Sequence, residues 1–369
     1  MKSNQESFSL KNTIKIAGVW ISYCIGSGFA TGQDMMQYFV AYGMKGFISI
    51  FIGIAIHIYV TTSYMSLGKD REFENPMNVF DYFCGRYLGK IVAALTVVYA
   101  LFGPSVMISG FGATISQLVG VSATVGSIIM GVVVTATVLL GLQKMADIIG
   151  TIGPVLIIVS LLTGGLYLIG NWEKLKAGAV AAEDMELLSI GNNWFMGGVY
   201  FATWAPLMAA PFLTTTAKTI NTKKEGIIGM IAGNIGYLLA CFIMVAAFFC
   251  DIDGVSQVLV PTLYLAQQMS PFLTVTFIGV IILGIYSSAV PGMFTFVSTF
   301  AKEKTKRYYI IAIATGIFVT IVTMLIPFDA LTNLLFSVYG ALGLPFIFLI
   351  AFQQIRGRVM KKKCVETQK

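Results

Sequence analysis

The sequence predicts an all-α integral membrane protein of ten transmembrane helices, arranged as a five-plus-five inverted repeat with spans 1 and 6 discontinuous. Three observations carry this reading: an apolar composition, the placement of lysine and arginine, and a matched rhythm of spans in the two halves of the chain. Hydrophobic residues make up 57% of the 369 and charged residues 11%, with a mean hydropathy of +0.82. A soluble domain carries about 25% charged residues. Too few are present here to coat a soluble core of this size, so most side chains must face lipid or one another.

A helix needs about 20 mainly apolar residues to cross the hydrocarbon. Segments that meet this need run roughly over 13–39, 44–66, 88–117, 122–142, 147–169, 192–216, 225–249, 272–299, 307–326 and 330–354. The polar stretch Met1 to Asn12 has no small-residue cleavage site and reads as a retained tail. With that tail inside, the cytoplasmic segments hold every one of the 24 lysines and arginines except Lys45, Lys174 and Lys176. Basic residues concentrate in cytoplasmic loops, so both termini are expected inside a plasma-membrane protein, with 355–369 as a basic cytoplasmic tail. The net charge of +7 is thereby explained without a nucleic-acid partner. Trp172, Trp194, Tyr308 and Tyr309 fall where an interfacial aromatic belt is expected. Cys24, Cys84, Cys241, Cys250 and Cys364 have no metal or disulfide spacing and read as small hydrophobes.

The chain forms one membrane domain, 1–369, with an internal symmetry. The halves 13–169 and 192–354 are nearly equal in length. In each, the one long connection follows the second span, at 67–87 inside and at 250–271 outside. Five spans are an odd number, so the second half crosses in the opposite sense. Inverted repeats of this kind build transporter sites at interrupted spans in matching positions of the two halves, here spans 1 and 6. Span 1 carries Gly26-Ser27-Gly28-Phe29-Ala30-Thr31-Gly32-Gln33 in its middle. Each glycine in a helix costs roughly 1 kcal/mol relative to alanine, and an unwound stretch frees N–H groups that suit a carboxylate. A glycine face for close helix packing is the other reading of the same residues. Span 6 places Pro206 after Tyr200-Phe201-Ala202-Thr203-Trp204-Ala205, with Pro211 beyond. Proline frees carbonyls near Ala202 and Thr203, through either a break or a plain kink.

Gly26-Ser27-Gly28-Phe29 resembles the G-S-G motif in the first span of amino acid–polyamine–organocation transporters, which share the LeuT fold. The run to Gln33, with Asp34, is similar to that of YkvI-type membrane proteins, and Tyr200 to Pro211 is similar to their sixth span. The resemblance implies a LeuT-like five-plus-five fold. It also implies an anion held at the break, Gly26 included, on the backbone N–H groups of Ser27, Gly28 and Phe29. Aromatic walls would come from Tyr99 and Phe102 in span 3 and from Tyr200, Phe201 and Trp204 in span 6, although such residues also serve as plain core.

Sodium-coupled members of that fold hold the ion between span 1 carbonyls and a small-x-x-Ser/Thr-Ser/Thr pattern in span 8. Span 8 here reads Gly284-Ile285-Tyr286-Ser287-Ser288, and Gly284, Ser287 and Ser288 share one helical face. The resemblance then implies Ser22 and Ile25 as carbonyl donors. Proton-coupled relatives place a lysine from span 5 in that cavity, but 148–169 contains neither lysine nor arginine. Sodium is thus the expected coupling ion, with no other cofactor; the serines bonding back to their own helix is the alternative.

Ionisable groups inside a bilayer mark function by default. His57, the single histidine, would relay protons or bond a neighbour. Asp34 would form an outer gate with Gln33 or sit solvated in the vestibule. Val255 to Ser270 is expected as a short helix over that vestibule, and Phe73 to Arg86 as a segment along the inner surface. An enzyme is not expected, since no nucleophile–histidine–carboxylate set or metal cluster is evident, and neither is a channel. The sequence points to a sodium-coupled secondary transporter of a small amino acid or related amine or organic anion. A proton-coupled transporter and a non-transporting sensor on the same scaffold are the alternatives.

Overall fold

The computed structural model describes residues 8–258, 260–325 and 339–356, with the backbone alone at 27, 113, 117 and 119. Span 1 is in three pieces: α1 (Leu10–Cys24), α2 (Ser27–Thr31) and α3 (Gln33–Tyr38). The Ser9 hydroxyl caps α1, accepting from Asn12 N–H at 3.4 Å. The helix ends where Ile25 (ψ 62°) and Gly26 (ψ −162°) leave helical geometry. Gly32, at φ +93°, turns the chain between α2 and α3, a conformation only glycine adopts without strain. The glycine run therefore breaks the helix as well as packing closely.

Helix α4 (Lys45–Asp70) follows, then α5 (Asn78–Val119), which is interrupted at Gly85 with φ +75°. The helical turn before Gly85 falls within the surface segment expected at 73–86. Next come α6 (Ala123–Leu139), α7 (Leu142–Asn171) and α8 (Leu175–Asp184). The last of these is a helix where the sequence suggested only a loop. The second half holds α9 (Trp194–Thr216), α10 (Lys223–Phe249), α11 (Ile252–Ser256), α12 (Pro261–Met269), α13 (Pro271–Phe300) and α14 (Lys306–Leu325). A final helix, α15, spans Tyr339–Arg356. Helices α11 and α12 occupy the stretch expected as a lid. The start of the expected span 10 and most of the basic tail lie outside the described residues.

Among the described residues, seven helical stretches are long and apolar enough to cross a membrane, and α6 is a shorter apolar helix. Spans 1 and 6 are not in that set, for different reasons. The break leaves α1 with 15 residues. Helix α9 has 23 residues but is buried along almost its whole length. A helix shielded from lipid does not need a fully apolar sequence.

Two expectations require correction. Span 6 is not discontinuous: α9 runs unbroken through Pro206 and Pro211. Tight packing against α4 holds it straight enough, since Gly53 lies on Phe201, Gly198 on Ser49 and Gly68 on the Thr214 carbonyl. Asp147 does not open span 5, because α7 starts earlier and Leu142 N–H donates to the Glu303 carboxylate at 3.0 Å. Asp147 instead pairs with Lys15 at 2.7 Å. Tyr308, in the first turn of α14, is buried, its hydroxyl donating to the Val138 carbonyl at 2.8 Å.

The contacts sort the helices into two packed groups. One joins α1, α4, α9 and α10; the other joins α5, α6, α13 and α14. Helix α7 packs on both α1 and α10. Span 1 runs between the groups, its α1 on α10 and its α2 on α13.

Candidate binding site at the span 1 break

The break places unpaired backbone groups in the middle of the protein. The first helical bond of α2 runs from Ala30 N–H to the Gly26 carbonyl at 2.8 Å. The N–H groups of Ser27, Gly28 and Phe29 therefore have no intrahelical acceptor. Gly26 is pressed against α13, where a Cβ would come within 2.7 Å of Ser288 Oγ. Thr262 of α12 donates its hydroxyl to the Ala30 carbonyl at 2.5 Å, so α12 rests directly on α2.

The five residues named for an ion converge below the break. Ser287 Oγ donates to the Ser22 carbonyl at 2.8 Å and to the Gly284 carbonyl at 3.1 Å. Ser288 Oγ donates to the Tyr23 carbonyl at 3.0 Å and to the Ser22 carbonyl at 3.3 Å. A Cβ on Gly284 would lie 2.5 Å from the Ile25 carbonyl, so only glycine lets α13 approach this closely. Ser22 turns its own hydroxyl away, donating to the Ile149 carbonyl of α7 at 2.7 Å. The cluster thus gathers carbonyl and hydroxyl oxygens, the donors hard cations take. With no cation, the hydroxyl protons satisfy the carbonyls; a cation would receive the hydroxyl lone pairs instead.

Beside the cluster lies a small cavity lined by Tyr23, Tyr99, Met107, Trp204, Ser288 and Gly292. It offers about 20 Å³, room for one water molecule. An amino acid does not fit, so the site is closed and a ligand requires the two helix groups to move apart.

Tyr99 and Trp204, both expected as wall residues, face this cavity together, with ring centroids 6.5 Å apart. The others point elsewhere. Phe102 packs on Phe318 of α14, centroids 6.0 Å apart. Tyr200 lies against Gly340, and Thr203 donates its hydroxyl to the Gly340 carbonyl at 2.8 Å. Ala202 is buried within α9, and the Phe201 ring stacks on His57 at 5.1 Å. Phe201 is turned away from the Trp204 side of the unbroken α9, whereas Tyr200, one turn before Trp204, shares that side but is covered by Gly340.

His57 donates or accepts through Nε2 at 3.2 Å from the Phe201 carbonyl. A carbonyl only accepts, so Nε2 carries the hydrogen. Its ring lies parallel to those of Phe201 and Tyr237, with Trp20 edge-on. Nδ1 is buried without a hydrogen-bond partner among the described residues. Asp34 is not solvated in a vestibule: it is 4% exposed, packed against Gly28. Gln33 is half-buried and accepts from Gln37 Nε2 at 3.2 Å.

Sequence reasoning missed Tyr23, Met107, Thr262 and Asn234. Asn234 accepts from Trp20 Nε1 at 2.8 Å and donates to Thr61 Oγ1 at 3.1 Å, tying α1, α10 and α4 together. An amide in mid-span was visible in the sequence, as polar side chains between membrane helices act as glue. Among the described residues, no group of three or more histidine, cysteine, aspartate or glutamate side chains is placed to hold a metal.

No protein-family model matches the chain. It is 23% identical over 341 residues to the membrane protein YkvI of Bacillus subtilis (strain 168), covering 90% of this chain and 93% of YkvI. The chain is a homologue of YkvI. Its fold is similar to that of a substrate-bound, outward-open Na+-coupled sialic acid symporter. There the TM-score is 0.68 at 13% identity, covering 92% of this chain and 78% of the symporter. MhsT in complex with L-phenylalanine is also similar, with a TM-score of 0.65 at 14% identity over 92% of this chain and 88% of MhsT. These neighbours are LeuT-fold transporters rather than enzymes, and at such identities the kinship is one of fold.

Proposed function

We propose that the protein is a secondary active transporter that moves a small amino acid, or a related amine or organic anion, together with sodium. The observation that carries this is the oxygen cluster of Ser22, Ile25, Gly284, Ser287 and Ser288, set beside a closed cavity at a helix break. A helix interruption deep in an apolar protein is tolerated where it lines a cavity, and oxygen donors there serve an ion. The similar structures support the same reading: the symporter takes sialic acid with Na+, and MhsT binds L-phenylalanine.

In this proposal the chain crosses the plasma membrane ten times as two inverted halves, 13–169 and 192–354, with both termini in the cytoplasm. The substrate sits between the span 1 break and the Tyr99–Trp204 wall. Sodium, held by both α1 and α13, joins the two helix groups and favours the closed state. Rocking of α1, α4, α9 and α10 against α5, α6, α13 and α14 opens the site to each side in turn.

The test is uptake by purified protein in proteoliposomes, using labelled amino acids with sodium and proton gradients applied separately. Sodium-driven uptake is expected, and Ser287→Ala with Ser288→Ala should abolish the sodium dependence. Uptake that follows only the proton gradient and survives both substitutions would reject sodium coupling. Specific binding with no uptake under either gradient would assign the protein to sensing.

A further inference from the structure

Asp34 is a carboxylate that the folded protein buries and leaves without a charge partner. It is 4% exposed, and its Oδ1 has no hydrogen-bond partner among the described residues. The ion pairs among those residues involve Asp147, Glu72 and Asp70, not Asp34. The titratable side chains within electrostatic reach are Cys24 of α1, Tyr38 of α3, Tyr99 of α5, and Tyr237 and Cys241 of α10. None of these is a cation. A buried carboxylate without a partner is strongly unfavourable, and it takes up a proton unless a positive ligand pairs with it.

Its position says which ligand. Asp34 lies two residues past the Gly32 turn, and that turn folds α3 so that the carboxylate rests on Gly28. A Cβ on Gly28 would overlap all three carboxylate atoms. Gly28 is also the second of the three residues whose N–H groups lack an intrahelical acceptor. A cation acceptor and a set of anion-binding donors thus lie side by side on one short helix. In an α-amino acid the ammonium and the carboxylate are borne on a single carbon. A single ligand with opposite charges that close together satisfies both at once.

We propose that Asp34 holds the ammonium group of an α-amino acid whose carboxylate is bound by the N–H groups of Ser27, Gly28 and Phe29. This rests on the transporter reading above and narrows its substrate class, because it excludes organic anions lacking an amine. Gly28 is then a specificity residue, since any side chain there displaces Asp34.

The experiment is equilibrium binding to the purified full-length protein in detergent with sodium present. The probes are the twenty standard L-amino acids, together with the deaminated acid and the decarboxylated amine of any that bind. At least one amino acid is expected to bind wild type, with each analogue at least about 100-fold weaker, as removal of one partner from a buried charge pair implies. Asp34→Asn should weaken the amino acid by a similar factor while tightening the deaminated acid, whose binding no longer leaves a buried carboxylate unpaired. The proposal fails if no amino acid binds, if the deaminated acid binds wild type as tightly, or if a folded Asp34→Asn keeps its affinity within about twofold. It also fails if that variant changes only sodium or proton dependence. Should Asp34→Asn not fold, the wild-type comparison of amino acid with its analogues decides alone. Sodium-driven uptake of a solute without an amine would overturn this assignment while upholding transport.

Discussion

His57 and Ser22 are the single side chains at which structure most changes what the sequence suggests. A lone intramembrane histidine invites a proton role, and here the ring packs against Phe201 and Tyr237 with one bond to a carbonyl. His57→Phe should keep the stack and lose that bond. Stability should fall by about 1 kcal/mol, read as a lower melting temperature in detergent, with no change in the response of uptake to a proton gradient. A changed proton response would restore the relay. Ser22 was named for its carbonyl, and its hydroxyl is spent on Ile149 of α7. Ser22→Ala should therefore lower stability by about 1 kcal/mol while leaving the sodium requirement within about twofold. A sodium effect as large as that of Ser287→Ala would show that the hydroxyl itself reaches the ion. The Gly284, Ser287 and Ser288 face was legible because helical spacing alone puts the three together. The direction of Asp34 was not, since it depends on the positive φ of Gly32.

Between elements, a close approach in the first half joins α1 to α7. A Cβ on Gly18 would overlap the Gly150 carbonyl, and one on Gly153 would overlap the Gly18 carbonyl. Gly18→Leu must push the helices apart, at about 1–3 kcal/mol of overpacking. The expected result is a lower melting temperature and loss of sodium-dependent uptake, because α1 carries the Ser22 and Ile25 carbonyls. Full uptake with unchanged sodium affinity would mean that the approach is dispensable. Glycines explain much of what the sequence did and did not disclose at this scale. The break at Ile25–Gly26 was legible because three glycines lie among three polar residues within eight positions of an otherwise apolar span, a combination that favours a helix little. The fate of span 6 was not, because Pro206 permits a break without compelling one, and the decision belongs to Gly53, Gly68 and Gly198 packing α9 onto α4. Helix α8 stayed hidden because a short outer helix of mixed composition has no span-length apolar signature. Its seat is a contact between Gly178 and the Phe249 carbonyl, more than seventy residues away in the chain.

For the molecule as a whole, the proposed transport cycle with both termini inside requires the Leu10 end of α1 to leave its neighbours when the site opens toward the cytoplasm. Two attachments hold it. Lys15 pairs with Asp147 at 2.7 Å, but the Asp147 side chain is 55% exposed, and solvent-exposed pairs contribute about 0–1 kcal/mol. Glu225 is the stronger anchor: it is wholly buried at the start of α10 and accepts from Ser9 N–H at 2.9 Å, Asn12 Nδ2 at 2.8 Å and Asn221 N–H at 3.0 Å. Hydrogen bonds to a charged group contribute about 1.5–3 kcal/mol each, so this carboxylate, rather than the more visible salt bridge, governs the release of α1. Glu225→Gln removes the charge and one acceptor oxygen and should raise the share of molecules open to the inside. Cys24 reports this, because it ends α1 beside the break and is buried in the closed state. With Cys84 and Cys364 replaced by serine, a membrane-impermeant maleimide applied from the cytoplasmic side should label Cys24 several-fold faster in Glu225→Gln than in its parent. Lys15→Ala should change the rate little. Equal rates in Glu225→Gln and parent, or a larger effect from Lys15→Ala, would place the inner latch elsewhere than on α10.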